Sequence, residues 1–330
     1  GIDSSIVTAV ASEYVDERDV ILNTFSIDFK DNSRYFQANA FQPERDRPFI
    51  DIMLGKYNLK HTYLECDEER LANLLYTSVD AKDLPGMADI DSSLLYFCSL
   101  VRKSNKVALT GECADEIFGG YPWFYRDELF WTNGFPWSRN IQTRQMLLSD
   151  DFVKDLKLEE YVSERYMESL KEVPYLDGEN QTDRRRREIA YLNIKWFMQT
   201  LLDRMDRASM YSALEARVPF ADHRIVEYVF NVPWDMKCRD GVEKSILREA
   251  CKELLPEKIL FRKKSPYPKT YNPNYLRILI EKFSEIINNP NSPIMSFVDK
   301  KKALSFIQAP AEYGNPWFGQ LMASPQLIAY

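Results

Sequence analysis

The chain has 330 residues, enough for one large domain or two lobes sharing a core, and 45% hydrophobic with 13% aromatic content argues for a packed interior and against a disordered or fibrous protein. A formal net charge of −7 argues against general polyanion binding, which depends on clustered Lys and Arg, so no nucleic-acid partner is expected. Five cysteines with no close pair, and two distant histidines, His61 and His223, argue against a disulfide framework, a zinc knuckle and His-dependent nucleophilic catalysis; reduced thiols in a cytoplasmic protein are expected.

In chain order, Ser4-Ser5-Ile6-Val7 opens a helical pattern with Ile6, Val10 and Tyr14 on one face. Val20–Ile27 is rich in strand formers. Residues 31–58 are polar, and Pro43 and Pro48 break any long helix there. Lys60–Cys66 reads as a short strand. Asp67 then caps a helix whose first turn holds Glu68 and Glu69, the charge sign that the helix dipole favours. Ser92–Lys103 reads as another helix, and Lys106–Thr110 as a short buried strand running into Gly111. This alternation implies an α/β fold with a parallel sheet and helices on both faces. Beyond about residue 130 strand signals vanish, and helical patterns occupy 188–203, 222–230, 243–255 and 273–288, with a loop at Asn289–Pro293. No apolar run approaches the ~20 residues that span a bilayer, so no membrane partner is expected.

Two segments hold residues suited to chemistry. Gly1-Ile2-Asp3-Ser4-Ser5 stands at a helix start, where free N–H groups and a partial positive charge suit a phosphate. Asp3 would face a phosphate only across a metal such as Mg²⁺, which takes carboxylate and phosphate oxygens together. Read alone, these residues are better explained as ordinary Asp and Ser helix capping. Leu109-Thr110-Gly111-Glu112-Cys113-Ala114-Asp115-Glu116-Ile117-Phe118-Gly119-Gly120-Tyr121 is more distinctive. A strand ends, a glycine turns the chain, and acids crowd a helix start at the carboxyl end of a strand, where such sheets bind ligands. Glu112, Asp115 and Glu116 repel one another unless a cation or proton is shared. Gly119-Gly120 admits a backbone path that a Cβ would resist. A capped helix with an acidic first turn remains the plainer alternative.

Residues 1–5 resemble the tail of the Ser-Gly-Gly-x-Asp-Ser pyrophosphate loop of the N-type ATP pyrophosphatases, and residues 110–121 resemble the signature of the asparagine synthetases. Asp206–Met210, Leu214–Phe220, Gly241–Arg248, Leu255–Glu257 and Arg262–Lys264 match the same family. The resemblance implies a parallel-sheet PP-loop ATP pyrophosphatase core (adenine nucleotide alpha hydrolase-like) over residues 1–130, and a mainly helical C-terminal lobe over 131–330 that completes the synthetase site. The Ser-Gly-Gly start, the central strand before it and a glutaminase domain with an N-terminal Cys nucleophile are absent from this sequence. The chain is therefore expected either to have been cut or to receive them separately.

The resemblance also implies roles, with ATP and Mg²⁺ as cofactors. Asp3 and Asp115 would hold Mg²⁺. Gly1, Ser4 and the helix N–H groups would bind pyrophosphate, and Lys244 would reach a phosphate. Ile27 would contact adenine, and Thr110 and Gly111 the ribose or adenylate. Lys264 would neutralise the leaving pyrophosphate, and Glu112 would take a proton from attacking ammonia. The related β-lactam synthetases carry Tyr where this chain has Glu112, so Glu favours an intermolecular amine. The implied reaction adenylates the side-chain carboxylate of aspartate, or a similar carboxylate, and forms an amide with ammonia from a glutaminase domain; a homodimer is compatible with it. The alternatives are a synthetase-like amidotransferase for a sugar acid or peptide, and a non-catalytic module. Four plainer expectations complete the reading. Asp206, Arg207, Glu215 and Arg217 form a buried ion-pair network, with direct substrate contact as the alternative; Arg184–Arg187 is a solvated basic face, with contact to a glutaminase partner as the alternative; Tyr121–Tyr125 packs the lobe rather than stacking on a base; and Cys113 is a small buried filler rather than a reactive thiol.

Overall fold

The computed structural model describes residues 1–38, 42–138 and 141–308. Helix α1 (Ile2–Asp16) leads into strand β1 (Leu22–Phe29). Helix α2 (Arg47–Lys56) carries Pro48 in its first turn, where the missing N–H costs nothing. Strand β2 (Leu59–Cys66) runs parallel to β1, from Leu22 opposite Leu59 to Phe29 opposite Cys66. Helices α3 (Glu68–Lys82) and α4 (Asp89–Val101) follow, and Asp67 caps α3 as expected, accepting from the Arg70 N–H at 2.8 Å. Strand β3 (Val107–Leu109) turns at Gly111 into the short helix α5 (Ala114–Phe118).

Strand structure does not vanish beyond residue 130. Strand β4 (Glu215–Arg217) pairs in parallel with β3, and β5 (Cys238–Arg239) and β6 (Val242–Glu243) form a small antiparallel pair. Segments this short contain too few alternations to reveal a period of two. The rest of that half is mainly helical. Helix α6 (Gln181–Leu192) passes through a π-turn at Asn193–Met198 into α7 (Gln199–Tyr211), and α8 (Ser245–Ala250) and α9 (Pro273–Asn288) follow.

The two parallel pairs share one apolar layer. Phe25 of β1, Leu64 of β2, Ala108 of β3 and Ala216 of β4 all pack on a cluster that includes Leu94, Leu95 and Cys98 of α4 and Met205 and Ala208 of α7. The expected burial of β3 fails in part: Val107 is 39% and Leu109 50% exposed, because the strand's alternation turns Ala108 onto the core cluster and these two to the opposite face. The buried face of α1 also differs from expectation. It runs through Ile2, Ser5, Ile6, Ala9 and Ser12, while Val10 and Tyr14 face out, so small residues allow the helix to seat closely. Among the described residues no helix is long and apolar enough to cross a membrane.

Candidate active site

The two distinctive segments of the sequence touch. A Cβ added to Gly111 would lie 2.4 Å from the Ser4 backbone nitrogen and 2.6 Å from the Asp3 carbonyl carbon. Only a residue without a side chain lets the turn after β3 lie against the start of α1. That start is not capped by Asp3 or Ser4. The Ser4 hydroxyl donates instead to the Gly1 carbonyl at 3.2 Å, and no side chain caps the helix. Thr110, beside the contact, donates its N–H to the Arg217 carbonyl at 3.0 Å, which extends the β3–β4 pairing to the edge of the turn.

Four charged side chains from four parts of the chain meet here. The Lys244 ammonium contacts both oxygens of Asp3, at 2.7 and 2.8 Å, and also Oδ1 of Asp115. Lys264 donates to Oδ2 of Asp115. Gly120 makes the cluster possible: a Cβ there would fall 2.0 Å from Asp115 Oδ1 and 2.4 Å from Lys244 Cε. Gly119, at φ +72°, sits in the left-handed region and lies against the Trp234 ring. Burial alone would raise the Asp115 carboxyl, but Lys244 and Lys264 outweigh it and hold the group well below the usual carboxylate range. Burial alone would lower the Lys244 ammonium, but Asp115 and Asp3 hold it above its ordinary value. The acid repulsion noted in the sequence is resolved twice over. Asp115 shares cations, whereas burial first and then Asp115 push Glu116 up to about 7, where the Tyr121 hydroxyl donates to it at 2.5 Å.

Asp3 and Asp115 converge on one positive charge. Two carboxylates so directed are the hard oxygen donors that Mg²⁺ takes, so the pair fits that ion. Among the described residues no three His, Cys, Asp or Glu side chains gather at one point. An ion here would complete its shell with substrate oxygens and water. Close by, Arg262 pairs with Asp46 at 2.6 Å. Asp46 also lines a cleft of about 180 Å³ with Ile27, Ser26, Asp28 and Arg45, at the carboxyl ends of β1 and β2.

Glu112 stands slightly apart. Its Oε1 accepts from Arg204 Nη2 at 2.8 Å, and the two side chains are 19% and 7% exposed. Burial pushes the Glu112 carboxyl up, and Arg204 and then Lys264 pull it part of the way back. Arg204 was not visible as a site residue in the sequence, although a signal exists: it interrupts the buried stripe Leu201–Met205–Ala208 of α7 with a charge. The neighbouring charges that drew attention behave otherwise. Asp206 is exposed. Arg207 pairs with Asp83 at 3.3 Å and Asp203 at 3.5 Å at the surface, and Arg217 pairs with Glu215 at 2.7 Å, also exposed. No buried network links them, because α7 turns Asp206 and Arg207 outward and the alternation of β4 does the same for Glu215 and Arg217. Arg184–Arg187 is not one solvated face either. Arg185 is buried in an ion pair with Glu188 and Arg187 is mostly covered in one with Glu179, since consecutive helical residues cannot share a face. The aromatic run does pack the lobe: Tyr121 stacks on Trp123 at 4.3 Å, and Phe197 meets Trp123 edge-on at 5.4 Å. Cys113 is 2% exposed and burial pushes its thiol up, so it fills space as expected.

A cleft of about 420 Å³ lies beside Met87 and is walled by Phe135, Trp137, Trp196 and Phe197. It does not coincide with the charged cluster. Polarising a reacting bond takes charge rather than space, so the cluster is the better candidate for the chemistry.

Comparison with known proteins agrees with the motifs. The asparagine synthase family model matches residues 1–328. Asparagine synthetase [glutamine-hydrolyzing] 3 of Bacillus subtilis is 49% identical over the whole chain, which covers 54% of that relative. Asparagine synthetase [glutamine-hydrolyzing] 1 of the same organism is 27% identical over 81% of the chain and 45% of its own length. Amidase chry2 of Gibberella zeae is 26% identical over 91% of the chain and 52% of its length. The chain thus spans about half the length of these curated relatives.

Proposed function

The chain belongs to the asparagine synthase family, and on that premise we propose that it performs the ATP-dependent, amide-forming half of asparagine synthesis. An oxygen of the aspartate side-chain carboxylate attacks the α-phosphorus of ATP, the bond to the β-phosphate oxygen breaks, and pyrophosphate leaves. Ammonia then attacks the acyl carbon of the adenylate, its proton passes to Glu112, and the carbon–oxygen bond to AMP breaks.

The observation that carries this reading is the contact of Gly111 with Asp3 and Ser4, which joins the start of α1 to the acids around α5 and to Lys244 and Lys264. Negative charge gathers on the leaving pyrophosphate, and the two ammonium groups and the N–H groups of α1 stabilise it. Asp3 and Asp115 would hold Mg²⁺, which supplies further positive charge to the phosphates. Gly1 and Ser4 line the pyrophosphate position. Thr110 and Gly111 face the ribose or adenylate, and Ile27 faces adenine in the cleft it lines. Residues 1–130 would be a PP-loop ATP pyrophosphatase core and 131–330 the lobe that brings Lys244, Lys264 and Arg204. Two parallel strand pairs on one apolar layer support such a sheet. The protein would act in the cytoplasm, as a homodimer, on ammonia released by a glutaminase domain.

A second reading keeps the chemistry and exchanges aspartate for a larger carboxylate, such as a sugar acid or peptide. The aromatic cleft beside Met87 supports it. The experiment is acceptor-dependent pyrophosphate release by the full-length protein with ATP, Mg²⁺ and ammonia, products identified by mass spectrometry. Release with aspartate and formation of asparagine support the first reading. Release with another acceptor alone moves the assignment to the second, and release with none rejects both.

A further inference from the structure

We propose that Arg204 is a positioning residue for amide formation: it fixes Glu112 in place as the carboxylate that receives the proton of ammonia. This rests on the reading of Glu112 as the base.

The geometry is specific. Arg204 donates through Nη2 to Glu112 Oε1 at 2.8 Å and through Nη1 to the Met87 sulfur at 3.4 Å. Met87 is in turn fixed, because its N–H donates to Asp91 Oδ2 at 2.7 Å. A Cβ on Gly86 would collide with that same oxygen at 1.9 Å, so the Gly86–Met87 turn lies directly on Asp91. A guanidinium held at two points presents its fork in one orientation, and a charge-assisted bond to one carboxylate oxygen sets the direction of the other. That other oxygen, Glu112 Oε2, is buried with no hydrogen-bond partner among the described residues. A buried acceptor costs free energy unless something donates to it, and the N–H of an attacking amine is such a donor.

The charge of Arg204 has a second consequence. Glu112 is nearly enclosed, and the groups that act with it are Arg204, Lys264, Cys98, Cys113, Tyr267 and, through Arg204, Asp91. Burial favours the protonated acid, which cannot accept a proton, and Arg204 is the larger of the two cations that oppose this. Removing Arg204 would therefore raise the pH at which Glu112 works.

The test separates the two half-reactions in the full-length protein. Aspartate-dependent exchange of pyrophosphate into ATP reads adenylation. Asparagine formation, at a fixed concentration of free ammonia, reads amide formation. For Arg204→Met we expect exchange within about threefold of wild type, amide formation reduced by ~10–100-fold near neutral pH, and an acid limb moved up by about one pH unit or more. Arg204→Lys keeps the charge without the planar fork. It should retain the wild-type acid limb with a smaller loss of amide formation, and it carries the same split if the Met variant does not fold. Parallel loss of both half-reactions in both variants, or an unshifted profile in Arg204→Met, overturns the inference alone. A wild type without aspartate-dependent exchange overturns the functional reading beneath it.

Discussion

Lys244 and Lys237 are close in sequence, and both are buried, at 2% and 6% exposure, yet they have opposite environments. Lys244 meets Asp3 and Asp115, and these carboxylates hold its ammonium above the ordinary value despite burial. Burial pulls Lys237 down to about 8, and the charge that acts on it, Arg187, pushes the same way. Burial of a charge therefore does not mark a site. What marks this one is convergence, since Lys244 joins carboxylates from the start of α1 and from α5 with glycines cleared around them. Arg185 makes the same point from the structural side. It donates to the Phe130 and Thr132 carbonyls, the Tyr166 hydroxyl and Glu188, so its guanidinium is committed to holding the lobe together.

The contrast can be broken at several points. Asp115→Ala removes the carboxylate shared by Lys244 and Lys264. It should abolish pyrophosphate release and destabilise by about 2–4 kcal/mol, measured by denaturant midpoint, because the buried Lys244 is left with Asp3 alone and the partly exposed Lys264 loses its carboxylate. Arg185→Met should destabilise by about 3 kcal/mol through unpaired carbonyls and Glu188, with pyrophosphate release per folded molecule unchanged. Loss of activity there would erase the distinction between the two regions. Gly120→Ala places a methyl group on Asp115 and Lys244 and should cost about 1–3 kcal/mol together with a fall in pyrophosphate release.

Lys237→Met should have the opposite sign. The folded value lies below the unfolded one, so the unfolded chain binds more protons between about pH 8 and ordinary lysine values, and wild-type stability rises with pH through that window. The variant should exceed wild type by about 1–2 kcal/mol below pH 8, and the gap should close as pH rises through the window. Thermal unfolding at a series of pH values reads this directly. The smallest effect is expected for Arg217→Ala, an exposed pair worth under about 0.5 kcal/mol.

Much of the candidate site was legible because its residues sit in two short, compositionally odd segments. Asp3, Ser4, Gly111 and Asp115 could be named from spacing and family resemblance, and the structure brings them together. Arg204 escaped because a single charge on an amphipathic stripe looks like any helical arginine until its partner, 92 positions away, is known. The same limit explains Asp206 and Arg217, which seemed buried by association with well-matched motifs and instead face outward. The helices α1, α3 and α9 were readable from periodicity and caps, whereas α2 lies in a polar stretch whose prolines argued against a long helix, and Pro48 is accommodated because it falls in the first turn. The two- and three-residue strands β4, β5 and β6 were not, because their pairing is set by contacts distant in sequence.

The central claim is that Glu112 serves amide formation and not adenylation. Glu112→Gln in the full-length protein tests it most directly, by aspartate-dependent exchange of pyrophosphate into ATP alongside asparagine formation from ammonia. The account predicts exchange near the wild-type rate and amide formation reduced by ~10²–10⁴-fold. Asparagine formed at the wild-type rate by the variant, or exchange lost in step with amide formation, would contradict it.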